Sequence, residues 1–116
     1  MNRITLSTGV LLAISACSTH SDSPLQLATA AEGRNTRLTL HAAPGYEINA
    51  RVAPALVIET GAVIRFTSAK LSADSTAFAD PPTALLTGRH DRVHGTLRAS
   101  VCVTAERVCR SVTLRL

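Results

Sequence analysis

Apolar and polar residues alternate along most of this chain with the two-residue period of β-strands, and nowhere after Leu25 do they recur at the spacing of an amphipathic helix. Thr36 to Ala42 sets Leu38 and Leu40 on one face against Arg37, Thr39 and His41 on the other, a half-buried strand ended by Pro44-Gly45. Tyr46 to Asn49 starts a new extended piece, Pro54 punctuates it, and Ala55 to Ile58 is a short apolar run. Gly61 turns the chain into Ala62 to Ala69, where Ile64 and Phe66 face inward and Arg65 and Thr67 outward. Ala69 to Asp80 has no clear period and reads as a loop or a sheet edge, and Pro81-Pro82 then blocks regular ladder bonding. Thr83 to Thr87 is a short strand before Gly88, and Val93 leads into the final segment. About seven short strands at intervals of roughly eight to twelve residues predict an all-β fold, an immunoglobulin-like antiparallel β-sandwich.

The final segment, Gly95 to Leu116, reads GTLRASVCVTAERVCRSVTLRL and carries the strongest alternation. Folded as a hairpin about Ala105-Glu106, with a loop of two or four residues, it pairs Leu97 with Leu114, Ala99 with Val112 and Val103 with Val108 on one face. Cys102 then meets Cys109, Ser100 meets Ser111 and Arg98 meets Thr113 on the other face, and only Val101 against Arg110 breaks the apolar side. A slip of one residue would invert every side chain, so the pattern itself specifies the register. Facing residues have Cα atoms about 4.5 to 5.5 Å apart, within the range a disulfide tolerates. Closing so short a loop is worth on the order of 2 to 3 kcal/mol, a modest gain for a hairpin that its turn could close unaided. Sulfurs on the polar face are open to attack along the S–S axis, which thiol exchange requires.

The opposite end of the chain has a different pattern. Met1-Asn2-Arg3 is a short basic start and Ile4 to Ile14 a mostly apolar run, too short to span a bilayer and suited to the core of a signal peptide. Ile14-Ser15-Ala16-Cys17 resembles the bacterial lipobox, in which the cysteine is acylated and becomes the mature N-terminus. Residues 1–16 are therefore expected to be a cleaved lipoprotein signal peptide, with Cys17 the lipidated residue. Residues 17–24 form a polar tether and residues 25–116 the β domain. The competing reading is an ordinary signal peptide cleaved near Ala16. Because Ser18 rather than an aspartate follows the cysteine, the expected site is the outer membrane of a Gram-negative envelope, facing the periplasm. Three cysteines are odd for an oxidising compartment, and assigning Cys17 to lipid leaves the even pair Cys102 and Cys109.

Composition mainly sets bounds. Removing the first 16 of 116 residues leaves 100, enough for one core and not for two. Tyr46, Phe66 and Phe78 are the whole aromatic set, so the core must be built from aliphatic residues. The formal charge is +4, and all but Lys70 of the 12 positive residues are arginines. They are scattered and no aromatics interleave with them for base stacking, so nucleic acid is not an expected partner. His90 and His94 lie four apart between two glycines beside a strand, too widely spaced to chelate as a helical pair would. A set combining them with Cys102 and Cys109 fits no standard ligand spacing, so neither a metal nor another cofactor is expected. No nucleophile elbow, phosphate loop or paired carboxylates occur.

The early alternating strand, PGYEIN at Pro44 to Asn49 with an apolar strand after it, the proline-marked middle and the terminal Val-Cys…Cys hairpin together resemble a known family. They are similar to the N-terminal, immunoglobulin-like domain of DsbD-type thiol:disulfide interchange proteins and its stand-alone lipoprotein relatives, over about Leu38 to Leu116. The resemblance implies a periplasmic reductant relay, in which Cys102 and Cys109 take electrons from a thioredoxin-like partner and hand them to oxidised envelope proteins. It also implies Cys109 as the attacking cysteine. Arg107 in the turn and Arg110 beside Cys109 are candidates to favour a thiolate, and Tyr46 and Phe66 are candidates for rings against the sulfurs. Six residues separate the cysteines here against five in DsbD, no aromatic-proline segment follows Cys109, and the chain has no transmembrane electron carrier of its own. The alternative is a non-catalytic immunoglobulin-like envelope lipoprotein whose disulfide is structural and whose surface binds a partner protein.

Overall fold

A computed structural model describes residues 23–116. The predicted signal peptide, the predicted lipidation site Cys17 and the predicted tether as far as residue 22 lie outside the described residues. Eight strands follow one another: β1 (Leu25–Glu32), β2 (Asn35–Ala42), β3 (Tyr46–Ile48), β4 (Ala55–Ile58), β5 (Val63–Arg65), β6 (Thr83–Leu86), β7 (Gly95–Val103) and β8 (Val108–Arg115). They form two antiparallel sheets, and no helix occurs among the described residues. The fold is the all-β sandwich that the alternation predicts, with β1 as a strand beyond the expected seven. Its Ala- and Thr-rich sequence carries little apolar contrast, and apart from Leu25 most of its side chains are exposed at a sheet edge. The fold also begins earlier than the predicted tether boundary. Pro24 is buried, its carbonyl accepts the Ala43 N–H at 2.8 Å, and the Ser23 hydroxyl accepts the Leu25 N–H at 3.2 Å.

The first sheet has the order β1-β2-β6. The second is organised on β7, whose whole length pairs with β8 along one edge. Its other edge is shared by β3, opposite Val101 to Val103, and β4, opposite Gly95 to Arg98, with β5 outside β4. β3 and β4 thus behave as one strand interrupted by an excursion. The Asn49 N–H still donates to the Ser100 carbonyl at 2.8 Å, whereas the Ala50 N–H turns away to the Thr76 carbonyl at 2.8 Å. Pro54 resumes the path, accepting the Phe66 N–H at 3.0 Å.

Between the sheets lies one aliphatic core. Leu25, Leu38, Leu40 and Leu86 from the first sheet meet Ile48, Leu56, Leu97, Ala99 and Val101 from the second, with Phe66 buried among them. Each such leucine contributes roughly 1.5 to 3 kcal/mol by leaving water. Pro82 cannot donate but accepts the Leu40 N–H at 3.0 Å, so the proline pair interrupts the ladder while still tying β2 to the start of β6.

The terminal hairpin has the register that the pairing of side chains requires, from Thr96 with Arg115 to Val103 with Val108, and closes through the four residues Thr104 to Arg107. Arg107 takes a left-handed conformation, φ 57°, and its N–H donates to the Val103 carbonyl at 2.7 Å. Arg110, the residue that breaks the apolar face, is exposed because β8 has no further strand beside it among the described residues. A charge on the inner side of an edge strand obstructs pairing with another chain.

Gly95 opens β7 at φ 157°, where a Cβ would run into the Val57 carbonyl oxygen of the adjacent strand. The clash is with backbone and cannot be relieved by a rotamer change. Gly95→Ala is expected to lower stability by roughly 1 to 3 kcal/mol, read as a lower urea midpoint with an unchanged slope. A midpoint equal to wild type would show that β4 and β7 separate freely at this point.

Candidate functional site

Strand parity decides where the cysteines point. In β7 the odd positions Leu97, Ala99 and Val101 are buried in the core, so the even positions Thr96, Arg98, Ser100 and Cys102 lie on the outer face of the second sheet. Cys102 faces Cys109 directly across the β7–β8 ladder and the two are joined as a disulfide. Their Cα atoms are 3.8 Å apart, closer than the facing distance of about 4.5 to 5.5 Å expected from strand geometry alone. Cys109 is exposed and Cys102 half-buried, the latter because β3 lies on its other side.

Glu47 of β3 pairs with Cys102, giving one cross-strand row, Glu47, Cys102 and Cys109. The next row joins Asn49 to Ser100 and Ser111, with the Asn49 amide donating to the Ser100 hydroxyl at 3.3 Å. Along the free edge of β3 runs the segment of residues 70–79. Its backbone bonds to the β3 continuation through Thr76 and to β3 itself, where the Phe78 N–H donates to the Ile48 carbonyl at 3.0 Å. Between segment and hairpin lies a groove of about 600 Å³, lined by Glu47, Asn49, Arg51, Ser72 to Asp74, Thr76, Ala77, Thr104, Arg107 and both cysteines. The hairpin tip is fixed at the groove's end, with the Thr104 N–H and hydroxyl both donating to the Gly45 carbonyl at 2.9 and 3.0 Å.

The groove wall is held by Asp74. Its Oδ1 accepts the Thr76 N–H at 3.1 Å, the Thr76 hydroxyl at 2.7 Å and the Ser72 hydroxyl at 2.8 Å. These donors, Thr76 first and then Ser72, pull its carboxyl down to about 2. The Ser72 hydroxyl in turn accepts the Ala77 N–H at 3.1 Å. The sequence predicts only a loop or sheet edge over Ala69 to Asp80, not this wall. The spacing Ser72-x-Asp74-x-Thr76 is the signal that could have marked a self-bonded turn, since Asp and Ser side chains favour backbone donors a few residues on. No local signal brings that turn beside the cysteines.

The other candidates separate cleanly. Arg107 lines the groove, whereas Arg110 belongs to the opposite face of β8, paired with Val101. Neither ring lies against the sulfurs: Phe66 is in the core, and Tyr46 pairs with Val103 on the core-facing side of the sheet. His90 and His94 border a second groove near Glu59 and Leu86, at the far end of β7, roughly 25 Å from Cys102 by strand rise. The His90 ring is already within 3.0 Å of the Thr87 carbonyl. Among the described residues no three of His, Cys, Asp and Glu come together as a metal site. The arrangement presents the Cys102–Cys109 disulfide on the outer face of the sheet, in a groove. No family model matches this chain, and neither does any curated protein or solved structure.

Because the folded-state pKa of Asp74 lies below its ordinary value of 3.8, the bonds that hold the wall are fully present above about pH 4 and are lost as pH falls through about 2. Asp74→Ala should reproduce that loss at neutral pH, seen as faster amide exchange at Thr76 and Ala77 with the core amides unchanged. Equal exchange in wild type and variant would show that the wall stands without the carboxylate.

Proposed function

We propose that this chain is a lipid-anchored, periplasm-facing thiol:disulfide exchange module, a stand-alone relative of the DsbD N-terminal domain, that relays reductant through Cys102 and Cys109. The observation that carries the reading is the exposure of Cys109 at the mouth of a groove on the outer face of the sheet, away from the core. A thiolate must approach along the S–S axis, and this face leaves that approach open at Cys109.

In the reduced protein the Cys109 thiolate attacks one sulfur of a partner disulfide, and the other partner sulfur leaves as a thiolate. The Cys102 thiolate then attacks the Cys109 sulfur of the mixed disulfide, releasing the second partner thiol and forming the Cys102–Cys109 bond. Two electrons and two protons pass from the cysteine pair to the partner. A thioredoxin-like dithiol returns the pair to the reduced state by the same steps in reverse. Arg107 at the groove favours the thiolate form, while Glu47 beside Cys102 disfavours a negative sulfur there. The Glu47 charge beside Cys102 suits Cys109 as the attacking residue and Cys102 as the one that resolves.

The second reading, a structural cross-link in an envelope lipoprotein that binds a partner, is favoured by the position of β8, which is held by β7 alone among the described residues. The reduction potential separates the two. Exchange predicts a value within about −180 to −270 mV and a structural bond one below about −300 mV. Cys102→Ala should accumulate a mixed disulfide with a thioredoxin-like protein, and Cys109→Ala should not. A low potential with no trapped adduct from either variant would refute exchange.

The anchor rests on the lipobox and is tested separately. Metabolic palmitate labelling and membrane association are expected in the full chain and should disappear in Cys17→Ala. Labelling that survives the substitution would refute lipidation at that cysteine.

A further inference from the structure

The outer face that carries the disulfide continues beyond it. One cross-strand row on β5, β4, β7 and β8 is Arg65, Ala55, Arg98 and Thr113, and the next is Val63, Val57, Thr96 and Arg115. Arg65, Arg98 and Arg115 are all exposed, and by strand spacing and rise the Arg98 backbone lies about 8 to 10 Å from each of the other two, which are about 16 Å apart. Val57 and Val63, 40% and 52% exposed, sit among them. Neither row contains an acidic residue. Glu59, in the nearby turn, borders the second groove with Arg92 instead. The ion pair among the described residues is Arg37 with Glu32, which leaves these three arginines without a carboxylate partner.

We infer that this basic, valine-studded half of the outer face is the docking surface for the redox partner, and that the partner presents an acidic surface beside its reactive disulfide. The inference rests on the exchange reading for its choice of partner. Arg98 lies four residues from Cys102 on one strand, so the cationic patch begins about 13 Å from the disulfide, on the same face. A protein seated on the patch reaches the sulfurs without reorienting. A second copy of this chain is a poor occupant, because its matching face would bring arginines against arginines. A membrane surface covering the same face would bury the route to Cys109, whereas an acidic protein leaves that route within its own footprint. The exposed valines supply apolar contact that a free anion would not use.

The test uses the mature chain with a labelled peptide that has one cysteine and aspartates about four to six residues from it, alongside its asparagine counterpart. At low ionic strength the oxidised protein should bind the aspartate peptide at least about ten-fold more tightly, a preference lost at about 1 M salt, where charges are screened within roughly 3 Å. The triple variant Arg65→Gln, Arg98→Gln, Arg115→Gln should lose the preference. The charge-matched Arg34→Gln, Arg89→Gln, Arg92→Gln variant, altered in the β1–β2 turn and the β6–β7 loop, should keep it. With the reduced protein, the disulfide-linked aspartate peptide should be reduced about ten-fold faster than the asparagine one. Equal binding of both peptides, or binding unchanged in the first variant, would overturn the docking surface. So would adsorption to phosphatidylglycerol vesicles that depends on the three arginines when peptide binding does not, which would assign the face to lipid. Aspartate-selective binding by a protein that reduces neither peptide upholds the docking surface and rejects the exchange reading instead.

Discussion

The second sheet depends on β7, its longest strand, which pairs with three others and presses Leu97, Ala99 and Val101 into the core. Burying these odd positions commits the even positions to the outer face, because successive side chains point to opposite sides of the pleat. Ser100, Cys102 and Arg98 are therefore outside as a direct consequence of three apolar side chains being inside. The disulfide, the groove above it and the cationic rows beyond it share one face for this reason. A shift of one residue between β7 and β8 would drive Cys109 toward the core, away from Cys102, and expose Val112 and Leu114.

Around this strand the fold uses interruptions as much as regular pairing. β3 and β4 both bond to β7, and the excursion between them lets Ala50 capture the segment carrying Asp74. That segment is a web of short-range bonds on a single carboxylate oxygen, so its shape is local even though its placement is not. The outcome is a sheet surface with a self-bonded wall along one side of the disulfide groove. The rest of the surface stays open, and the arginines there have no internal acid to neutralise them. Neither the open groove beside the exposed sulfur nor the adjoining cationic surface is a closed apolar cavity of the kind that captures a small apolar ligand.

Much of this was legible in the residues themselves. The pairing of Leu97 with Leu114 and of Cys102 with Cys109 follows from alternation alone, because only one register keeps both rows consistent. Leu38, Leu40 and Phe66 were legible as core for the same reason. β1 was not, because alanine and threonine give an exposed edge strand little hydrophobic contrast to read. Tyr46 was the wrong ring to set against the sulfurs: pairing with Val103 puts it on the core side, and only the β3–β7 register reveals that.

The sequence by itself determined what is periodic and local: strand content, the hairpin register, the facing cysteines and the turn chemistry of Ser72, Asp74 and Thr76. Period-two alternation and short side-chain bonds act over a few residues and need no knowledge of distant partners. Only the tertiary structure decided that Glu47 stands beside Cys102, that the Asp74 segment walls the disulfide, and that Arg65 of one hairpin joins Arg98 and Arg115 of another in a single patch. Those juxtapositions come from which strand edges meet, which is settled by closing one shared core between the two sheets and leaves no mark at any single position of the chain.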